Sequence, residues 1–229
     1  MELEYASITQ RGKRNRNEDS FFTLDIQDEN RWMGIICDGM GGHTKGDVAS
    51  QFVIKCISDY WKSHSMEPDS EEKIKKACKK TSIAFTEKVF ELNHVQMGTT
   101  MVMASIENDL LTIVHLGDSR CYYLDSSNHL LYQTQDHVSS QYGFERITRC
   151  FFSYHPEAVN PEVKQFHIKD GDRIFLCSDG VNKYMAPSTL LSILSKDESA
   201  KEILEELGNI CETVSQDNYT AILLKVHQA

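Results

Sequence analysis

No run of about 18 apolar residues occurs anywhere in the 229-residue sequence, so the pattern holds no candidate for a membrane-crossing helix. Proline and glycine are scarce, at 4 and 12 residues, which argues against a linker-rich multidomain design. No two cysteines form a C-x-x-C pair. The seven present are spread singly from Cys37 to Cys211, an odd count that reads as reduced thiols of a cytoplasmic protein and not as a disulfide framework. Several lie in apolar strings, such as Cys37 in GIICDG and Cys177 in IFLCSDG, and read as core. The opening stretch MELEYASITQRGKR lacks the apolar centre and cleavage pattern of a secretory signal. Basic residues are also in deficit: 24 stand against 34 acidic ones, a formal net charge of −10. Nucleic acid is therefore disfavoured as a partner, because neutralising phosphates needs a basic surface. A surplus of carboxylates suits a cation site. What remains, 40% hydrophobic and 25% charged, is the composition of a globular domain.

Apolar spacing predicts strands over 3–8, 21–24 and 32–37. The last of these runs into Asp38-Gly39-Met40-Gly41-Gly42, which reads as a turn from its glycines. From 46 onward Ala49, Phe52, Val53, Cys56, Ile57 and Tyr60 recur at helical spacing, and a second helix is predicted over 71–92. Hairpins follow, pairing 99–106 with 110–116 and 121–124 with 130–134. Residues 137–163 read as irregular; a strand at 173–177, helices at 187–194 and 199–214 and a strand at 219–226 complete the chain. This order is not the strand–helix alternation of a doubly wound sheet. It predicts an α+β fold: a four-layer sandwich of two central antiparallel β-sheets flanked by helix pairs, one domain over 1–229.

The informative acids sit at strand ends: Asp19 before the second strand, Asp38 after GIIC, Asp118 after IVHLG, Asp179 after IFLCS and Asp217 before the last strand. Carboxylates gathered at one rim of the sheets repel one another, and a hard divalent cation relieves that repulsion. An all-oxygen donor set favours Mg²⁺ or Mn²⁺ over zinc. Any one Asp-Gly or Asp-Asn pair taken alone is more simply a turn.

The ordered set says more. R-x-x-N-E-D at 14–19, D-G-M-G-G at 38–42, G-T-T at 98–100, G-D-S-R at 117–120, D-H at 136–137, C-S-D-G at 177–180 and D-N-x-T at 217–220 follow one another along the chain. Together they resemble the metal-dependent serine/threonine protein phosphatases of type 2C, in their compact bacterial form, from residue 5 to 226. The resemblance implies the two-sheet sandwich with helix pairs and hydrolysis of phosphoserine and phosphothreonine by a water between two ions, without a phosphoenzyme. It implies that Asp38 bridges two Mg²⁺ or Mn²⁺ ions, with the carbonyl of Gly39 on the first and Asp179 and Asp217 on the second. Glu18 and Asp19 would hold waters around them, Asp118 would help bind a weaker third ion, and Arg14 would grip the substrate phosphate. A planar guanidinium suits phosphate oxygens, and Arg14 is favoured over Arg16 by its spacing to Glu18. Phosphoprotein substrates of a serine/threonine kinase and a monomeric state are expected.

Two features depart from that pattern. Met40 holds the place where many eukaryotic members carry a histidine after Asp-Gly and His43 comes three residues later, so an acid role for His43 does not transfer cleanly and a loop histidine is the favoured reading; His137 reads as structural in preference to catalytic. Only eleven residues separate His137 from Arg149, which implies a flap shortened over 138–148, a more open cleft and doubt over third-ion binding through Asp118. The rival readings are an inactive phosphatase-fold binding protein, which typically loses metal aspartates, and a two-metal phosphatase for a small phosphoester. No cysteine has arginine six residues on and no G-x-x-x-x-G-K-[ST] loop occurs, which disfavours a cysteine phosphatase and a P-loop enzyme.

Overall fold

The central strands are apolar on both faces because each is covered twice. The computed structural model describes residues 2–26, 30–40, 45–64, 67–68, 70–141 and 144–227. The elements are β1 (Glu2–Gln10), β2 (Asp19–Ile26), β3 (Arg31–Met40), α1 (Gly46–Ser63), α2 (Glu71–Glu91), β4 (Gly98–Thr99), β5 (Met101–Glu107), β6 (Leu110–Leu116), β7 (Arg120–Leu124), β8 (Leu130–Gln133), β9 (Val138–Gln141), β10 (Phe144–Ile147), β11 (Phe151–Phe152), β12 (Glu162–His167), β13 (Arg173–Cys177), α3 (Asp179–Asn182), α4 (Pro187–Leu194), α5 (Ala200–Val214) and β14 (Tyr219–His227). One antiparallel sheet runs β1-β14-β13-β7-β8; the other runs β11-β4-β3-β5-β6-β12, with β2 beside β3. β1 pairs with β14 over its whole length, from Glu2 opposite His227 to Gln10 opposite Tyr219.

Side chains alternate across a strand, and here the alternation sorts them between layers. In β3, Met33, Ile35 and Cys37 pack against α1 and α2, while Trp32 and Ile36 meet the other sheet. In β14, Ala221 and Leu223 meet α4 and α5, while Ile222, Leu224 and Val226 face inward. Four layers result: α1 with α2, sheet, sheet, α4 with α5. Ser70 caps α2 by accepting from the Lys73 amide, and Ser199 with Glu202 forms a capping box on α5. All seven cysteines are unpaired, and six are buried.

Three expectations need correction. Asp38, Gly39 and Met40 are strand, not turn: Gly39 lies opposite Thr99 and Met40 opposite Gly98, so β4 extends the β3 ladder past the glycine. Residues 137–163 are not irregular throughout, since β9 and β10 form an antiparallel hairpin and β11 joins β4. Asp179-Gly180 opens a single helical turn, α3. Gly41, Gly42 and His43 lie outside the described residues.

Candidate active site

β2 and β3 pair in register, which puts Asp19 directly opposite Asp38. Like charges so placed destabilise a sheet unless something offsets them. The backbone nonetheless fixes this point firmly. The Asp38 amide donates to Thr100 Oγ1 at 3.0 Å, and its carbonyl accepts from the Thr100 amide at 2.9 Å and from Thr99 Oγ1 at 2.8 Å. Gly39 is obligatory for close approach: a Cβ there would come within 2.2 Å of the Gly46 carbonyl oxygen and 2.6 Å of that of Glu18.

α3 and the start of β14 bring the remaining acids. Gly180 packs so tightly that a Cβ would sit 1.9 Å from the Asn218 carbonyl oxygen, which locks α3, and Asp179 with it, against Asn218. Ser178 ties the layers together, donating from Oγ to Asp19 Oδ2 at 2.7 Å while accepting from the Thr220 amide at 3.0 Å. Asn218 pins the loop before β2. Its Oδ1 accepts from the Glu18 amide at 2.9 Å, and its Nδ2 donates to the carbonyls of Arg11 and Arg16, each at 2.8 Å.

Arg14, Glu18, Asp38, Gly39, Asp179 and Asp217 therefore face one cleft of about 580 Å³, together with Asn15, Arg16, Met40 and Asn218. Asp19 and Asp118 stand behind that lining. Asp19 is buried, and among the described residues its Oδ1 has no hydrogen-bond partner. Desolvation, and then repulsion from Asp19, Asp179 and Asp118, pushes the Asp38 pKa well above the usual carboxylate range. Burial likewise raises Asp19, against the Ser178 and Thr220 hydroxyls, and raises Glu18, against the Gly46 amide. Crowded oxygens that resist carrying their charge are the donor chemistry a hard divalent cation stabilises, so the residues fit Mg²⁺ or Mn²⁺. Among the described residues no three acidic, imidazole or thiol groups already stand as a ligand set. Basic side chains hold the carboxylates instead: Arg14 Nη2 lies 2.6 Å from Asp217 Oδ2, and Lys183 Nζ lies 2.7 Å from Asp118 Oδ2 and 2.9 Å from Asp179 Oδ2.

Residues beyond the expected set complete the frame. Arg120 grips Asp136 with two bonds of 2.7 Å, and Ser119 Oγ meets Thr100 Oγ1 at 2.7 Å, bracing the turn that carries Asp118. His137 is a structural group. Its Nδ1 accepts from the Gly117 amide at 3.3 Å, and its ring stacks on His115 with centroids 4.5 Å apart. Sequence reasoning missed Lys183 and Asn218. The Lys183 spacing to Asp179 and the motif D-N-x-T were the available signals.

The family described as Protein phosphatase 2C matches residues 9–224. This chain belongs to that family. Its relatives include the serine/threonine phosphatase stp of Listeria monocytogenes serotype 4b, 32% identical over 95% of this chain and 93% of that one. The serine/threonine protein phosphatase PstP of Mycobacterium tuberculosis is 29% identical over 98% of this chain and 45% of its own length. A crystal structure of PstP superimposes with a TM-score of 0.84 at 27% identity, covering 99% of both chains. A PstP catalytic domain in complex with two manganese ions superimposes with a TM-score of 0.82 at 28% identity, again over 99% of both. Membership in the 2C family bears out the expected fold and the phosphatase class. No helix among the described residues is long and apolar enough to cross a membrane.

Proposed function

We propose that this 2C-family phosphatase removes phosphate from phosphoserine and phosphothreonine in proteins, using two Mg²⁺ or Mn²⁺ ions held by Asp38, the Gly39 carbonyl, Asp179 and Asp217. The observation that carries this reading is the convergence of those four residues, from β3, α3 and the start of β14, on one cleft beside Arg14. When bound, the ions supply the positive charge that offsets a phosphomonoester dianion and lowers the pKa of the attacking water.

The protein groups do the rest. Asp38, which feels the charges of Asp19, Asp179 and Asp118, would be shared by the two ions. Glu18 and Asp19 would orient waters around them, a supporting role that tunes the inner ligands. Arg14 is more than half exposed, so it can exchange Asp217 for a phosphate and fix the phosphoryl group by paired N–H bonds.

The whole of 1–229 acts as one catalytic domain, and the hairpin β9–β10 stands for the shortened flap over 138–148, leaving the cleft open to varied sequences. The substrates are phosphoproteins of a serine/threonine kinase, met by a monomer in the cytoplasm. The unpaired cysteines and the −10 charge support that setting over a disulfide-forming compartment or a nucleic-acid partner.

One assay tests the reading. Phosphate release from several phosphoserine and phosphothreonine peptides, and from an aryl phosphate, is measured with Mn²⁺, after chelation, and for Asp38→Ala. Peptide turnover that needs Mn²⁺, varies little among sequences and vanishes in a folded Asp38→Ala is expected. Retained turnover in Asp38→Ala refutes the bridging role, and hydrolysis of the aryl phosphate alone points to a small phosphoester.

A further inference from the structure

Lys183 bonds two acids of the cluster at once. It lies four residues after Asp179, and its amide donates to the Asp179 carbonyl at 2.9 Å, so the single turn of α3 carries the side chain back over Asp179. From there Nζ spans to Asp118, which belongs to a different part of the chain, 65 residues away, at the end of β6. The Asp118 side chain is almost wholly buried, and Lys183 Nζ lies 2.7 Å from its Oδ2 and 2.9 Å from Asp179 Oδ2. A compact ammonium is the side-chain group closest to a point cation.

We propose that Lys183 takes the place of a third divalent ion in this enzyme: its ammonium sits between Asp118 and Asp179, so the metal complement stops at two. This rests on the two-ion reading above. Nζ takes only the Oδ2 atom of each carboxylate, so Asp179 Oδ1 stays open to the second ion, whereas a divalent ion spanning Asp118 and Asp179 would have to expel the ammonium. On this proposal Asp118 is a partner of lysine and not a metal ligand, contrary to the third-ion role its motif implies.

The test counts ions. Wild type, Lys183→Met and Lys183→Met/Asp118→Asn are titrated with Mn²⁺ by isothermal calorimetry, with free Mn²⁺ followed by electron paramagnetic resonance and folding checked by circular dichroism. Two ions are expected on the wild type, a third and weaker one on Lys183→Met, and two again on the double variant. Lys183→Gln, neutral and still able to hydrogen-bond, is expected to match Lys183→Met and serves if the latter fails to fold. Three ions on the wild type, or two on every folded Lys183 variant, overturns the proposal while leaving the two-ion reading standing. A wild type that binds no Mn²⁺ overturns both.

Discussion

At the Asp217 end of the acid cluster the basic partner is 57% exposed and its carboxylate 24%; at the Asp118 end the carboxylate is only 6% exposed beneath a lysine that is 38% exposed. Both ends use a cation on a carboxylate, yet the contacts differ in kind. An exposed pair contributes about 0–1 kcal/mol and exchanges partners readily. Removing one partner of a buried pair leaves an uncompensated charge and costs several-fold more, on the order of 3–5 kcal/mol when burial is complete. The open end therefore suits a group that must release one anion and take another. The closed end suits a charge that never leaves.

That contrast can be broken most sharply at Arg14. Arg14→Ala is expected to lower kcat/KM on a phosphopeptide by about a hundredfold, the loss of a paired charge-assisted contact to phosphate. The melting temperature should hardly move, because the Asp217 pair is exposed. Steady-state kinetics beside a thermal melt checks both; a large fall in stability with unchanged kcat/KM would make Arg14 a structural residue.

Asn218→Ala should act on the same end through the loop that carries Arg14. It deletes the bonds to the Glu18 amide and to the carbonyls of Arg11 and Arg16, so a loss of about 2–3 kcal/mol is expected in urea unfolding. KM should rise about tenfold with kcat changed less, since the anchor of the clamp and not the clamp itself is gone. A KM equal to that of the parent protein would show that the loop holds its shape without Asn218.

The smallest effect lies under the closed end. Burial and then the neighbouring His137 push His115 down to about 4, below its ordinary 6.5. The unfolded chain therefore takes up the proton first as pH falls, so the stability from neutral His115 is complete above about 6.5 and drains away towards 4. His115→Phe keeps a ring against His137 and removes the titration. The stability lost between pH 7 and pH 5 should shrink by about 2 kcal/mol in paired urea melts. Identical losses in both proteins would show that His115 does not titrate in that window.

The sequence made the helices and the inner strands readable wherever local pattern and final packing agree. From the stripe between Ala49 and Tyr60, Ala49, Val53 and Ile57 became the buried face of α1, joined by Ile54 and Trp61, while Phe52, Cys56 and Tyr60 stayed half-buried at its margin; the limits of β6 and β13 fell where the apolar runs begin and end. It misled at Asp38-Gly39-Met40 because glycine there serves the close approach of Gly46 and Glu18, while β4, some sixty residues on, keeps the strand going. The β9–β10 hairpin was illegible because VSSQ and FERI carry no clear apolar alternation. For the site, the acids on the cleft wall were legible as an ordered set. Lys183 was only half legible: its four-residue spacing to Asp179 can be seen, but Asp118 comes to it only through the fold.

The full-length ladder between β1 and β14 bears on how this enzyme comes into being. Arg14 lies just beyond one strand of that ladder and Asp217 just before the other, so the proposed phosphate clamp and the proposed metal ligand meet only once both are zipped together. On this reading a nascent polypeptide still emerging from the ribosome is silent towards its targets, and hydrolysis switches on with the arrival of the closing strand.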